Sequence, residues 1–352
     1  MTYDDIKPLL YKLEPENAHA LVEFGMRSLD CIFPGGLSFF AKNYIINDET
    51  LNQEIFNLKF YNPVGLAGGF DKNATMIRPL SALGFGFLEY GTFTPKPQSG
   101  NEKPRLFRLV EQESIQNAMG FNNKGKDAIA KELRKIYPFS IPLIANIGKN
   151  KITPNEEAIN DYIILLNEFK NLCDLFVINI SSPNTKNLRD LQSEEFITLL
   201  FQKAKEITDK PIILKIAPDM SIDNAILLCK SAIKAKADGI IMANTSIDYS
   251  LIDNARTFGG ISGKLITQKS ATFFKEVAKE IYKDTILIAS GGIDSAQLAY
   301  ERIKNGASLI QIYTAMIFKG PSIVKNINQG LIELLKQDGF NHISQAIGVN
   351  FK

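Results

Sequence analysis

Histidine and cysteine are scarce in this chain of 352 residues. The only histidines, His19 and His342, leave too little material for a Ser-His triad or a histidine-rich metal site. The three cysteines lie far apart without a C-x-x-C pair, which argues against a disulfide framework, a Cys-rich zinc site or an iron–sulfur cluster and fits a reducing compartment. We therefore expect no resident metal.

An excess of charge and long apolar runs are missing as well. A formal net charge of +2 gives no signature of extended nucleic-acid binding, so no nucleic-acid partner is expected. No stretch reaches the roughly 18 apolar residues that a spanning helix needs. The first helix is too interrupted and acidic for a signal or transit peptide. With 45% apolar residues, the chain is expected to be a soluble globular protein of one barrel or two domains.

Residues 1–45 differ in pattern from the rest of the chain. Apolar residues at helical spacing on both sides of Pro15 predict two short amphipathic helices, and the stretch 31–40 is unusually apolar for a loop. Acidic residues outnumber basic ones here, so attraction to anionic lipid is not the obvious force. Two roles stay open on this pattern: a structural cap on the main domain and a pair of helices on a membrane surface.

Residues 46–352 show a different periodicity, because eight short apolar runs alternate, for the most part, with helix-like segments. This pattern predicts a parallel sheet covered by helices, and the count of eight predicts a closed (β/α)8 barrel of the α/β class. An open doubly wound sheet is the alternative, weakened by the lack of G-x-G-x-x-G after the first strand. The span 95–124 is predicted to be an insertion with a small hairpin formed by 106–110 and 114–117. The predicted strands are 64–69, 87–92, 143–148, 175–181, 212–217, 239–245, 286–292 and 309–315, and the clearest helices are 155–172, 194–207, 222–235, 268–282 and 295–304.

The C-terminal strand ends, where barrel enzymes keep their chemistry, carry amides, hydroxyls, glycines and two lysines. Acidic pairs and histidines are missing there, which disfavours glycosidase chemistry and metal-assisted hydrolysis. Such a rim is typical of a site where a bound cofactor performs the hard step. The strand ends read in order as 67–72, 91–92, 146, 179–184, 215, 244–245, 291–292 and 313–314.

Two of these strand ends give sharper predictions. The segment 290–295 carries a Gly-Gly pair before a helix, which predicts a phosphate site, with a tight turn and an Asp or Ser helix cap as the alternative. Lys215 lies inside the fifth strand, where an unpaired ammonium is costly. A functional role is favoured for it, and a buried ion pair is the alternative.

Seven segments together resemble the signature segments of the dihydroorotate dehydrogenase family and span nearly the whole chain. Ser182 and the helical N-terminal segment resemble the membrane-associated, quinone-dependent class 2 enzymes, because the soluble class 1 enzymes carry cysteine at the place of Ser182. The segments are GLAGGFDK at 65–72, KPRLFR at 103–108, NAMGFN at 117–122, NIGKN at 146–150, INISSPN at 178–184, KIAPD at 215–219 and QIY at 311–313.

The resemblance implies an FMN-containing barrel that oxidises dihydroorotate to orotate in pyrimidine biosynthesis. Ser182 would be the base that removes a proton from C5 as hydride passes from C6 to the flavin, and Thr92 is a hypothetical partner in the proton path. The resemblance also assigns residues to each ligand. FMN would be contacted by Ala67, Gly68, Gly69, Phe70, Asp71, Thr92, Asn146, Asn179, Lys215, Gly263, Gly292, Tyr313 and Thr314. Dihydroorotate would be held by Lys72, Asn117, Ala118, Met119, Gly120, Phe121, Asn179, Asn184, Asn244 and Thr245.

The same resemblance gives residues 1–45 a role as an apolar tunnel that admits a membrane quinone, lined in part by His19 and Arg108. A peripheral protein on the cytoplasmic face of a bacterial inner membrane is then expected. The sequence departs from the family pattern at Ala243, where threonine is usual, and at Gly68, where alanine is common. Two alternatives are a flavin barrel of the tRNA-dihydrouridine synthase type, which should show a basic surface, and a non-catalytic binding barrel, which should tolerate Ser182→Ala.

Overall fold

The computed structural model describes residues 3–32 and 35–352, and Met1, Thr2, Phe33 and Pro34 of the predicted N-terminal segment lie outside that description. The segment forms three helices rather than the two predicted: α1 (Tyr3–Tyr11), α2 (Pro15–Ile32) and α3 (Gly36–Tyr44). The apolar stretch that looked unusual for a loop therefore ends in a helix. Of its apolar side chains, Phe40 packs against the main core, whereas Ile32 and Phe39 are exposed. Within the described residues, no helix is long and apolar enough to cross a membrane.

The rest of the chain is built on the predicted closed barrel of eight parallel strands. Three of the covering helices begin at a serine, Ser193, Ser221 or Ser295, whose hydroxyl accepts an N–H of the first turn and thereby defines the start. In chain order the elements are β1 (Gln53–Ile55), β2 (Leu58–Phe60), β3 (Val64–Leu66), α4 (Ile77–Ser81), β4 (Phe87–Phe93), β5 (Leu106–Leu109), β6 (Ser114–Asn117), α5 (Lys126–Leu133), β7 (Leu143–Ile147), α6 (Ala158–Phe169), β8 (Leu175–Asn179), α7 (Glu194–Ile207), β9 (Ile212–Ile216), α8 (Ile222–Lys234), β10 (Gly239–Met242), β11 (Gly260–Gly263), α9 (Thr267–Ile281), β12 (Ile286–Ser290), α10 (Ala296–Lys304), β13 (Leu309–Ile312), α11 (Thr314–Lys319) and α12 (Ile323–Gln337).

The N-terminal end of the barrel is closed by the hairpin of β1 and β2. Ile55 and Phe60 from the hairpin pack with Phe87, Val177 and Ile213 in an apolar cluster separate from the one between strands and helices. Because these strand residues fill the lower barrel interior, a ligand site is confined to the opposite, C-terminal end.

The insertion between β4 and α5 contains the antiparallel pair β5–β6. A third strand, β11, from the loop after β10, pairs with β6 in an antiparallel register that sets Gly260 opposite Asn117. The strand β11 was not predicted from the sequence, since Gly-Ile-Ser-Gly has too few apolar residues to read as a strand. This small sheet brings the loop after β10 and the insertion together above the barrel.

Polar contacts join the N-terminal helices to the C-terminal face of the barrel. Arg105, just before β5, makes a bidentate ion pair with Glu16 of α2, at 2.9 Å from Nε and 3.0 Å from Nη2. Thr75, after β3, donates its hydroxyl to Glu23 of α2 at 2.7 Å. Tyr3 of α1 donates to a carbonyl at the end of α11 at 2.6 Å. The helices therefore lie over the end of the barrel that is open to ligands.

Candidate active site

The barrel interior changes from apolar to polar within one strand period. Side chains of a strand point alternately to its two faces, so residues two apart share the inner face. Phe87 is followed two positions later by Glu89, and Val177 by Asn179. The remaining pairs follow the same spacing, namely Ile144 and Asn146, Ile213 and Lys215, and Leu309 and Gln311. The lower layer is therefore a plug, and the layer above it is the polar floor of a site.

Glu89 lies at the centre of this polar floor. Its side chain is 0% exposed, and its carboxylate accepts a hydrogen bond from the Lys215 ammonium, with 2.9 Å between Oε1 and Nζ. The amides of Asn146 and Gln311 also donate to the carboxylate. The buried ion pair that was the alternative for Lys215 is thus present, while Lys215 also lines the cavity above. Glu89 was not among the residues predicted from the sequence, although its position two residues after Phe87 was a usable signal.

Thr92 lies between two asparagines of neighbouring strand ends. Its hydroxyl donates to Asn146 Oδ1 at 2.6 Å and accepts from Asn179 Nδ2 at 2.9 Å. The O–H donor and one of the two acceptor lone pairs of the hydroxyl are thereby occupied, and the other lone pair stays free. Within residues 3–32 and 35–352 no hydrogen bond joins Thr92 to Ser182, so a direct proton path between them is not formed in this structure.

The carbonyl groups of the Gly-Gly pair after β12 accept hydrogen bonds from side chains in the first turn of α9. Ser270 donates to the Gly291 carbonyl at 2.7 Å, and Thr267 donates to the Gly292 carbonyl at 2.9 Å. In a planar trans peptide the N–H points opposite to the C=O, so the N–H groups of Gly292 and Ile293 are directed away from α9. Glycine suits this turn, since φ is +97° and +70° at the two positions and a Cβ on Gly292 would meet Thr267.

The N–H groups of Gly292 and Ile293 donate to no backbone carbonyl in the described part of the chain. Gly263 and Thr314 line the same cavity as Gly292. Adjacent free N–H groups form a nest for an anion. The helix cap considered as an alternative exists as well, because Ser295 caps α10. The loop therefore contains the helix cap, and its two outward N–H groups are available to an anion, so the phosphate site stays a prediction.

Ser182 lies three residues beyond β8, in the turn that Pro183 forces after the strand. Its side chain is buried, and its hydroxyl oxygen accepts the N–H of Asn184 at 3.2 Å. Asn184 Nδ2 donates to Asn117 at 3.0 Å, which connects this turn to the small sheet of the insertion. Asn244 donates to the Ser181 hydroxyl at 2.9 Å and so fixes the loop after β10 beside the same turn.

Several buried polar atoms of this region have no partner in the described residues. They are Asn184 Oδ1, Thr245 Oγ1, Asn122 Oδ1 and Gln311 Oε1, and all four residues line the cavity. Buried polar atoms are normally hydrogen-bonded, since desolvation without a partner costs about 1–3 kcal/mol. The site therefore presents acceptors and a hydroxyl to a polar ligand.

A single cavity of about 590 Å³ joins the polar floor to the inner faces of the N-terminal helices. Of the residues predicted from sequence, it is lined by Ser182, by the ligand-facing residues of the strand ends and insertion, and by both tunnel residues. Asn146 and Ala118 do not line it. Asn146 lies behind Thr92 and Glu89, and Ala118 is buried in the insertion, its carbonyl bound by Asn101. The lining residues from the sequence prediction are Ala67, Gly68, Gly69, Phe70, Asp71, Lys72, Thr92, Asn117, Met119, Gly120, Phe121, Asn179, Ser182, Asn184, Lys215, Asn244, Thr245, Gly263, Gly292, Tyr313, Thr314, His19 and Arg108.

Lys72 and His19 lie where the polar and apolar parts of the cavity meet. The Lys72 ammonium donates to the Gly69 carbonyl at 2.8 Å, and desolvation by burial lowers the pKa of Lys72 to about 8. Burial and the nearby Lys72 charge lower the pKa of His19 to about 4, so the imidazole is neutral at pH 7. His19 packs edge-on against Phe70 at 5.1 Å between ring centroids, and Phe70 packs edge-on against Tyr313 at 5.6 Å.

Asp71 and Arg108 have structural partners in addition to their places at the cavity. The buried Asp71 carboxylate accepts the N–H groups of Thr75 and Met76 at 3.0 and 2.8 Å, and so it shapes the loop after β3 rather than pairing with Lys72. Arg108 donates to the Leu13 carbonyl at 2.9 Å, just past the end of α1, and its guanidinium lies over the Tyr11 ring at 5.0 Å. Arg108 thereby holds the end of α1 against β5.

Comparison with known proteins identifies the family of this chain. A sequence model described as dihydroorotate dehydrogenase matches residues 50–335. The chain is 56% identical to the dihydroorotate dehydrogenase (quinone) of a Nitratiruptor species and 47% identical to that of Helicobacter acinonychis, in each case over 100% of both chains. The crystal structure of DHODH from Eimeria tenella in complex with ferulenol has a TM-score of 0.85 and 33% identity, over 98% of this chain and 99% of that one. The chain therefore belongs to the dihydroorotate dehydrogenase family, in the quinone-dependent class of its full-length relatives.

Proposed function

We propose that this protein oxidises dihydroorotate to orotate in pyrimidine biosynthesis, with FMN as its cofactor, and passes the electrons to a membrane quinone. The observation that carries the proposal is the continuity of the cavity. The same space is polar at the strand ends and apolar between α1, α2 and α3. A polar substrate and an apolar electron acceptor can thus reach opposite sides of one cofactor.

The residues present fit a flavin mononucleotide. The nest at Gly292 and Ile293, with Thr314 beside it, suits the phosphate. Gly68 is required by the polar floor itself, because a Cβ there would meet the side chains of Glu89 and Asn146. Lys215 would hold the flavin ring from the polar floor, where its charge favours added electron density. When bound, FMN supplies hydride acceptance and one-electron transfer to the quinone.

The polar end of the cavity suits dihydroorotate. The Lys72 ammonium suits the substrate carboxylate as a point charge. The side chains of Asn117, Asn184 and Asn244 present donors and acceptors to the ring amides, and the unpartnered Asn184 Oδ1 and Thr245 Oγ1 would gain partners. Discrimination follows, since an analogue without those ring N–H groups would leave the buried atoms unpaired.

Ser182 is the proposed base that removes the C5 proton. Its hydroxyl oxygen accepts only the Asn184 N–H in the described residues, so a lone pair remains for the substrate. An ordinary serine hydroxyl is a weak base, and the proton must leave through a further acceptor. Thr92 already donates its proton to Asn146, but one acceptor lone pair of its hydroxyl remains free, so a relay through Thr92 requires the Ser182 O–H to reach that lone pair.

The N-terminal helices are the proposed membrane contact and quinone access. Their outer faces expose large apolar side chains, including Leu9 at 62%, Phe24 at 70% and Phe39 at 68%. Such a face suits an amphipathic helix lying in the interface of a bilayer. We propose peripheral association with the cytoplasmic face of a bacterial inner membrane, with His19 and Arg108 lining the quinone path.

A two-stage anaerobic experiment tests both half-reactions. Mixing the flavin-loaded protein with dihydroorotate should bleach the flavin absorbance, and Ser182→Ala should slow that bleaching about 10²–10⁴-fold while flavin content is retained. Thr92→Val tests the relay, and unchanged bleaching removes it. Deletion of residues 1–40 should spare flavin binding and abolish reoxidation by a long-chain quinone. Full turnover by the truncated protein would contradict the proposed quinone path.

A further inference from the structure

Arg302, in the last turn of α10, is a fully buried cation with little compensation. Its side chain is 0% exposed. Nη2 donates to the Thr267 carbonyl at 3.1 Å and lies 3.4 Å from the Ser270 hydroxyl. Nε and Nη1 have no hydrogen-bond partner in the described residues, and the half-exposed Glu301 carboxylate is 3.8 Å from Nη1. Burying such a group is costly unless a nearby anion offsets it.

The guanidinium also lies close to the Gly-Gly loop, and in the described part of the chain the only carboxylate within 4.0 Å of it is that of the half-exposed Glu301. Arg302 contacts Thr267 and Ser270, and these two residues hold the carbonyls of Gly292 and Gly291. Thr267 begins α9, so the cation lies near the partially positive N-terminus of a 15-residue helix. A helix N-terminus disfavours a cation and favours an anion. A contribution to the stability of this region therefore does not explain why an arginine is buried here.

We propose that Arg302 is a positioning residue for the phosphate of bound FMN, and that its charge makes the protein select FMN over riboflavin, which lacks the phosphate. Arg302 acts through two effects. It fixes Thr267 and Ser270, which turn the N–H groups of Gly292 and Ile293 outward, and it adds positive potential behind the loop. The inference rests on FMN being the cofactor, as proposed above.

The test compares the affinities of the apoprotein for FMN and riboflavin, measured by flavin fluorescence quenching. Arg302→Met should weaken FMN binding by on the order of tenfold while riboflavin binding changes little. Arg302→Lys, which keeps the charge, should recover most of the preference. Arg302→Gln keeps a donor for Thr267 without the charge, so it separates the fixing of Thr267 from the effect of the positive potential. It also replaces the methionine variant if that variant does not fold.

The control is Arg105→Met, which removes another buried guanidinium but one paired with Glu16, away from the Gly-Gly loop. It should leave the ratio of FMN to riboflavin affinity unchanged. Equal losses for both flavins in the Arg302 variants, or an unchanged ratio, would overturn the proposal and leave FMN as the cofactor. A parent protein that binds FMN no better than riboflavin would refute the phosphate site itself and, with it, the role of Arg302.

Discussion

The buried pair of Glu89 and Lys215 offers a quantitative test of the polar floor. The two side chains are 0% and 5% exposed and 2.9 Å apart. Removing one member of a buried ion pair leaves the other charge uncompensated and costs about 3–5 kcal/mol. We expect Glu89→Gln and Lys215→Met each to lower the free energy of unfolding of the apoprotein by that amount. The double variant, which buries no charge, should recover a large part of the loss.

The expected shift in melting temperature follows from the chain length. An unfolding entropy of about 2.1 cal/mol/K per residue gives roughly 0.7 kcal/mol/K for 352 residues. A loss of about 4 kcal/mol therefore lowers Tm by about 5 °C. Calorimetry of the apoproteins measures this without the stabilisation that a bound flavin adds. Single variants within about 1 °C of the parent, or a double variant that loses the full sum of both shifts, would refute the reasoning.

The remaining predictions concern the junction of the cavity with the N-terminal helices. Because the pKa of Lys72 is lowered to about 8, kcat/KM for dihydroorotate should fall about tenfold per unit above pH 8, and Lys72→Arg should remove that fall. Because the pKa of His19 is lowered to about 4, the NMR signals of its imidazole C–H protons should titrate with a midpoint near pH 4. The contribution of the neutral imidazole to the free energy of unfolding is lost as the pH falls from about 6.5 towards 4. A midpoint near pH 6.5 would contradict this. Glu16→Gln should loosen α2 and raise KM for quinone severalfold; because the Glu16 charge also raises the pKa of Lys72, the fall of kcat/KM for dihydroorotate should begin at a lower pH than in the parent. An unchanged KM for quinone would contradict the role of the ion pair in seating α2.

The barrel and most of its rim could be predicted because their signals are local in sequence. Eight apolar runs between helical patterns specify a closed parallel barrel, and the position of a strand's end specifies which residues face the site. The assignments of family and quinone-dependent class are confirmed by full-length relatives. Individual roles, such as Ser182 as base, stay predictions that the kinetic variants address.

What sequence reasoning missed depends on contacts between distant segments. Glu89 was passed over because it precedes the predicted strand end at 91–92 by two residues, and its partner Lys215 is 126 positions away. The strand β11 exists because β6 offers it an unpaired edge, not because its four residues favour extended structure. Arg302 belongs to a helix that reads as an ordinary amphipathic one. Only the fold brings its guanidinium behind the Gly-Gly loop.

The N-terminal helices show how the two ends of the cavity can depend on each other. Glu16 of α2 pairs with Arg105, which leads into the strand that carries Arg108, and Arg108 holds the end of α1. The charges of Glu16 and Arg105 also act on Lys72 with opposite signs, the first raising and the second lowering its pKa. A displacement of α2 would change the electrostatic environment of the substrate's proposed ammonium partner. The same polar contacts that hold the N-terminal helices thus help to set the charge state of Lys72 at the proposed substrate site.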